Sequence, residues 1–192
     1  MNPTAADDLL FGDALACEER LPVAFDATPL DARARQGASD QAEMLLRGLA
    51  VAEDARRDDA DDAATESRLQ RVEAKLDLLI GLLGALLARS GDTPPAREVA
   101  WSWRGLRVDG LHGDGYAPEP GTGGLVRIQA AAWLPQLLAL PAEVIAVDAA
   151  SARTWLRFDP AGGGLGPALE RHLFRLHRRA IADARRAGPG AD

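Results

Sequence analysis

Cysteine is almost absent from this chain of 192 residues: Cys17 stands alone, which excludes an intrachain disulfide and a cysteine zinc cluster. No apolar run reaches the roughly 18 residues that span a bilayer, so no membrane insertion is expected. The opening MNPTAADD carries no positive stretch ahead of an apolar one; no signal peptide is expected, and the expected location is cytoplasmic. Histidine is scarce, and His112, His172 and His177 fall at spacings that give no helical metal pair. Neither a metal nor a cofactor is expected. Two glycine-rich stretches lack the features of nucleotide loops. GTGG at 121–124 has no Gly-Lys-Ser/Thr ending and reads as a hairpin turn, while GGGLGP at 162–167 puts Pro167 where the last glycine of a dinucleotide loop belongs. Ser102 lies in no nucleophile elbow, and no carboxylate pair is placed by local spacing. The chain therefore reads as non-enzymatic.

Basic charge is also in deficit, with 22 Lys and Arg against 29 Asp and Glu, a net of −7. That balance argues against binding a nucleic-acid polymer. The spread is uneven, because residues 1–65 hold 15 acidic and 6 basic residues while 165–192 hold 3 acidic and 6 basic ones. At 47% hydrophobic, the chain has enough apolar material for one domain with an accessory segment.

What the chain does have is a heptad. Leu69, Val72, Leu76, Leu79, Leu83 and Leu86 are spaced three, four, three, four and three apart, the a and d positions of a supercoiled helix running from about residue 65 to about residue 89. The first e and g residues are Glu73 and Lys75, but one heptad later they are Ile80 and Leu82, followed by Leu87. The apolar arc thus widens beyond a two-stranded seam and asks for more helices around it or for a neighbouring domain. A core helix of a monomer is the plainer alternative. Gly81 and Gly84 each cost about 1 kcal/mol of helix propensity, which close packing would offset.

The rest of the chain follows from local signals. Leu9, Leu10 and Phe11 form a short apolar patch in acidic surroundings, either a docking turn or a mobile segment. Residues 21–25 read as a strand and 31–37 as a loop. Ser39, Asp40 and Glu43 resemble a capping box, opening a helix whose apolar stripe is Met44, Leu45, Gly48, Leu49 and Ala52 and which ends near Arg56 in a solvated hinge. Beyond the break at 90–95 the period changes, and strands are expected at 97–103, 106–109, 125–133, 138–148 and 153–158. Connections too short for crossover helices imply an antiparallel sheet or small barrel. The last helix carries Leu169, Leu173, Leu176 and Ala180 as its core stripe, widened by Phe174 and Ile181. Glu170 and His177 fall inside that arc and are expected to be structural polar groups. Arg171, Arg175, Arg178, Arg179, Arg185 and Arg186 are expected on the outer face.

The stretch ERHLFRLHRRAIA at 170–182, preceded by VEAKLDLL at 72–79, resembles the atypical tetrameric PilZ family of xanthomonads and relatives, over roughly residues 64–186. The resemblance implies an α+β fold: a Greek-key antiparallel β-barrel with a C-terminal helix, plus long heptad-bearing helices that build a four-helix tetramer core. It would make residues 21–25 a barrel strand, 39–90 a helical oligomerisation insertion and 95–186 the barrel with its helix, all within a single unit, 1–192. Receptors of this fold bind cyclic di-GMP through an Arg-x-x-x-Arg loop and an Asp/Asn-x-Ser-x-x-Gly strand motif. Here Ala100-Trp101-Ser102-Trp103-Arg104-Gly105 keeps Ser102 and Gly105 but has Ala100 at the acidic or amide position. The arginine spacing is met by Arg171/Arg175 and Arg175/Arg179, both within the last helix. The resemblance thus implies a degenerate nucleotide site, with cyclic di-GMP binding weak or absent, in a homotetrameric signalling or scaffold protein with an unidentified protein partner. The alternative is a cyclic di-GMP receptor of non-standard mode, in which Arg97, Arg104 or Arg107 replaces the missing loop.

Overall fold

A computed structural model of the chain describes residues 1–58, 76, 93–111, 118–134, 136–159 and 163–187. Six strands close an antiparallel barrel: β1 (Cys17–Asp26), β2 (Ala96–Ser102), β3 (Gly105–Asp109), β4 (Gly123–Ile128), β5 (Leu138–Asp148) and β6 (Arg153–Phe158). Around the barrel their order is β1, β2, β3, β6, β5, β4. Among the described residues three helices with defined limits accompany them: α1 (Pro3–Phe11), α2 (Ala32–Asp58) and α3 (Leu165–Ala187).

β1 closes the barrel by serving two neighbours. Cys17 to Pro22 pair with β2, and Val23 to Asp26 pair with β4. The handover falls at Pro22, which has no N–H to give to a ladder. This strand is longer than the 21–25 expected, and the chain between it and β2 leaves and returns between two hydrogen-bonded barrel strands. β4 ends at Ile128, short of the expected 133, where Gln129 Nε2 donates to the Leu134 carbonyl at 3.0 Å and holds a turn. Val99, Trp101, Leu106, Val108, Val126, Ile128, Leu140, Val144 and Leu156 fill the interior, joined by Ala42, Leu46 and Leu49 of α2 and Leu165, Leu169 and Leu173 of α3.

α2 starts at Ala32, within the stretch expected as a loop. Its cap is Asp31, whose carboxylate accepts from the Ala34 N–H at 2.7 Å, not Ser39. Ser39 instead faces inward at 1% exposure, on a stripe continued by Ala42, Leu46, Leu49 and Glu53. Glu43 makes no capping box. Its carboxylate accepts from the Gly164 N–H at 3.0 Å, beside the first turn of α3, where a negative charge suits the helix dipole. Residues 3–11 are a helix rather than a turn, capped by Asn2, which accepts from the Ala5 N–H at 2.8 Å, with Pro3 in the first turn.

The buried face of α3 is rotated from the expected one. Leu165, Ala168, Leu169, His172 and Leu173 are buried, whereas Phe174 is 53% and Ile181 39% exposed. Glu170 faces solvent, and His177 is only half-buried. The buried polar residue of this helix is His172, not Glu170 or His177. Arg175 and Arg179 also turn inward, for a reason given below. Of the heptad residues, Leu69, Val72, Leu79, Leu83 and Leu86 lie outside the described residues, and Leu76 is helical and exposed.

Candidate functional site

β2 and β3 meet in a tight hairpin, with Ser102 paired to Gly105 across the turn residues Trp103 and Arg104. Strand alternation sends Val99 and Trp101 into the core and puts Ala100 and Ser102 on the outer face. Gly105, Arg107 and Asp109 of β3 share that face. In the ladder Ala100 stands between Glu18 of β1 and Arg107 of β3. These three, with Glu98, Asp109 and Arg153, line a shallow cleft of about 270 Å³. Ala100 offers it only a methyl group. Arg107 pairs with Glu18 at 3.6 Å and Arg153 with Asp109 at 3.3 Å, while Glu98 pairs with Arg20 at 3.0 Å. Three carboxylates against two guanidiniums make the cleft a poor host for a dianion.

α1 covers the hairpin end of this face. The Ser102 hydroxyl is fully buried and donates to the Leu10 carbonyl at 2.7 Å while accepting from the Arg104 N–H at 3.0 Å. A Cβ on Gly105 would run into the Leu156 carbonyl and lie 2.9 Å from Leu10 Cδ2. Glycine is therefore needed here for close approach of β6 and α1. Arg104 donates to the Leu9 carbonyl at 3.3 Å and pairs with Asp13, holding that carboxyl below its ordinary range. Arg107 pairs with Asp7 at 3.2 Å, and the Trp155 indole N–H donates to the same carboxylate oxygen at 2.7 Å. Arg97 is placed elsewhere, donating to the Gly110 carbonyl at the far end of the hairpin. The three candidate arginines do not converge, and two of them are taken up by the N-terminal segment.

An arginine spacing that sequence reasoning passed over, Arg153-x-x-x-Arg157, lies along β6. Four residues of strand separate its members by about 13 Å, and each is paired in place, Arg153 with Asp109 and Arg157 with Glu143 at 2.7 Å. It forms no clamp. The GTGG stretch is not the hairpin turn that was expected: Gly121 takes φ +91° and its N–H donates to the Val144 carbonyl at 2.7 Å, but Gly123 and Gly124 open β4, which pairs with β1 and β5 and not with the preceding β3.

A second polar group lies between α2 and α3. Glu53 is 4% exposed, and one of its oxygens takes both Arg175 at 3.2 Å and Arg179 at 2.7 Å. This pairing is what draws the two arginines inward. Beside them His172 packs edge-on to Trp101, ring centres 5.7 Å apart, and burial pulls its pKa down to about 4. Trp101 in turn donates to Glu19 at 3.1 Å, whose carboxyl burial pushes up. Burial likewise raises the Cys17 thiol to about 11, against the α3 backbone, where its Sγ donates to the Leu173 carbonyl. Nothing in the sequence marked Glu53 or His172; their roles depend on helices far apart in the chain.

Among the described residues no cluster of His, Cys, Asp or Glu is arranged to hold a metal, and no helix is long and apolar enough to cross a membrane. Compared with known proteins, residues 46–186 match the family model described as atypical PilZ domain, cyclic di-GMP receptor. No curated protein matches. A solved structure from Xanthomonas campestris is 44% identical, with a TM-score of 0.75, and the match covers 94% of this chain and 97% of that one. It is described as a pathogenic protein with a new tetrameric PilZ domain self-assembled via an unusual helical bundle.

Proposed function

The chain belongs to the atypical PilZ domain family, and from that premise we propose that it is a non-enzymatic scaffold of cyclic di-GMP signalling whose own nucleotide site is degenerate. The observation that carries the reading is the pairing of Arg104 and Arg107 with Asp13 and Asp7 of the N-terminal segment. The two cations best placed to meet phosphates already have carboxylates, and Ala100 supplies no group to read a guanine edge. Each charge-assisted hydrogen bond is worth about 1.5–3 kcal/mol. Losing two arginine contacts weakens binding by roughly 10²–10⁴, which takes a micromolar receptor to about 0.1 mM or worse.

The same reading makes the protein a homotetramer, joined through the helix that bears Leu69, Val72, Leu76, Leu79, Leu83 and Leu86. The heptad spacing and the tetrameric relative support it. The test is calorimetry of the full chain with cyclic di-GMP at about 0.15 M salt, alongside light scattering. No saturable binding below about 0.1 mM and a tetramer mass are expected, with Leu76→Asp and Leu83→Asp together splitting the assembly. Low-micromolar binding that disappears in Arg107→Ala would overturn the scaffold reading in favour of a receptor of altered mode.

A further inference from the structure

Outside the barrel interior there is a second, separate apolar cluster: Ile145, Ala146 and Trp155 on the outer face of β5 and β6. It is covered by Ala6 and Leu10 of α1, both fully buried, with Phe11 at the edge. Around this patch stand four donors, each already engaged with the same segment. The Trp155 indole and Arg107 meet Asp7, the Ser102 hydroxyl meets the Leu10 carbonyl, and Arg104 meets the Leu9 carbonyl and Asp13. Ser102 and Arg104 thus receive the carbonyls at the C-terminal end of α1, where a helix has acceptors without partners and a negative dipole end. An apolar slot with cations at one helix end is a recognition surface for an acidic amphipathic helix.

Its present occupant, α1, is short and makes a one-sided contact. α1 is nine residues long, below the length at which a helix persists unaided. Thr4, Ala5, Asp8 and Leu9 face solvent, so the contact is one-sided. Residues 12–16 alone join α1 to β1, and the barrel ladder begins at Cys17, so lifting α1 breaks no strand pairing.

We propose that this groove is a docking site for a short acidic amphipathic helix of a partner protein, which enters by displacing α1. The side chains that seat α1 set the pattern the partner helix must present: a small residue and an Asp at successive positions, then Leu and an aromatic residue three and four places after the Asp, as in Ala6, Asp7, Leu10 and Phe11. Charge complementarity favours it, because Arg104 and Arg107 together meet two carboxylates of the bound segment. The inference names a partner class within the scaffold reading and depends on that reading only for there being a partner. Because α1 is tethered, it acts at an effective concentration on the order of millimolar, and a competing helix needs contacts beyond the groove to win in the wild-type protein.

The experiment uses a fluorescent peptide of residues 2–13 and two full-length proteins, wild type and Leu10→Asp, which puts a carboxylate into the apolar slot and empties it. Saturable binding of the peptide to Leu10→Asp, at least tenfold tighter than to wild type and abolished by adding Arg107→Glu, is expected. No binding to a folded Leu10→Asp protein overturns the proposal. Hydrogen exchange on the wild type gives a readout that needs no variant: the amides of 6–11 should exchange at least tenfold faster than those of β2 and β6, and equal protection overturns it. A drop in mass of Leu10→Asp relative to wild type would assign the groove to α1 of a second copy and also overturn it. Cyclic di-GMP binding that leaves the peptide in place refutes the scaffold reading alone; peptide failure without nucleotide binding refutes this inference alone.

Discussion

Replacing Glu53 by Gln tests whether one buried carboxylate ties α2 to α3. The Glu53 side chain is 3% exposed and its single engaged oxygen is shared by Arg175, 15% exposed, and Arg179, 37% exposed. Gln keeps the shape and removes the charge, leaving Arg175 without a counter-ion in a place water barely reaches. Removing one partner of a buried pair costs about 3–5 kcal/mol. Arg179 can still turn to water, so the lower end applies, about 3 kcal/mol. At roughly 2–4 °C per kcal/mol for a chain of this size, the melting temperature should fall by roughly 6–12 °C. The double variant Glu53→Leu with Arg175→Met should recover most of that loss, because it leaves one fewer charge stranded and fills the space with apolar atoms. Thermal melts followed by circular dichroism give all the values. A Glu53→Gln protein that melts within a degree of wild type, or a double variant as weak as the sum of its parts, would refute the reasoning.

Two further perturbations follow from the same packing. Burial holds His172 at a pKa of about 4 against 6.5 in the open, so between those values the unfolded chain takes up a proton that the folded chain refuses. Its contribution to stability is whole above pH 6.5 and drains as pH falls toward 4, by about 3 kcal/mol in all. Urea unfolding at several pH values should show His172→Gln losing that slope relative to wild type, although Glu53, Arg175 and Arg179 stay in place; an unchanged slope would contradict it. Gly105→Ala should lose about 1–3 kcal/mol, since its methyl meets the Leu156 backbone carbonyl, and trimming Leu10 to Ala should not rescue it. A Gly105→Ala protein as stable as wild type would mean that β6 can give way.

The strands beyond the 90–95 break were legible in place, though not all in length, because their determinants are local. Alternating apolar residues bounded by turn clusters placed β5 and β6 at their observed limits. The family, and with it the closed barrel, was legible from the pairing of residues 72–79 with 170–182.

What the sequence could not settle was decided by contacts between distant segments. α1 has a local start signal in Asn2 and Pro3 but is too short to persist by itself; it is held because Leu10 finds a slot on β5 and β6 and its carbonyl meets Ser102, 92 residues away. The rotation of α3 was ambiguous because Phe174 and Ile181 flank one side of the Leu169–Leu173 stripe as readily as Ala168 and His172 flank the other. Glu53 resolves it by drawing Arg175 inward across 122 residues of chain. Periodicity weighs an arginine as solvent-facing, since an unpaired guanidinium cannot be buried. Only the tertiary structure supplies the carboxylate that reverses that preference, and only it shows that Arg104 and Arg107 already hold the chain's own acidic segment.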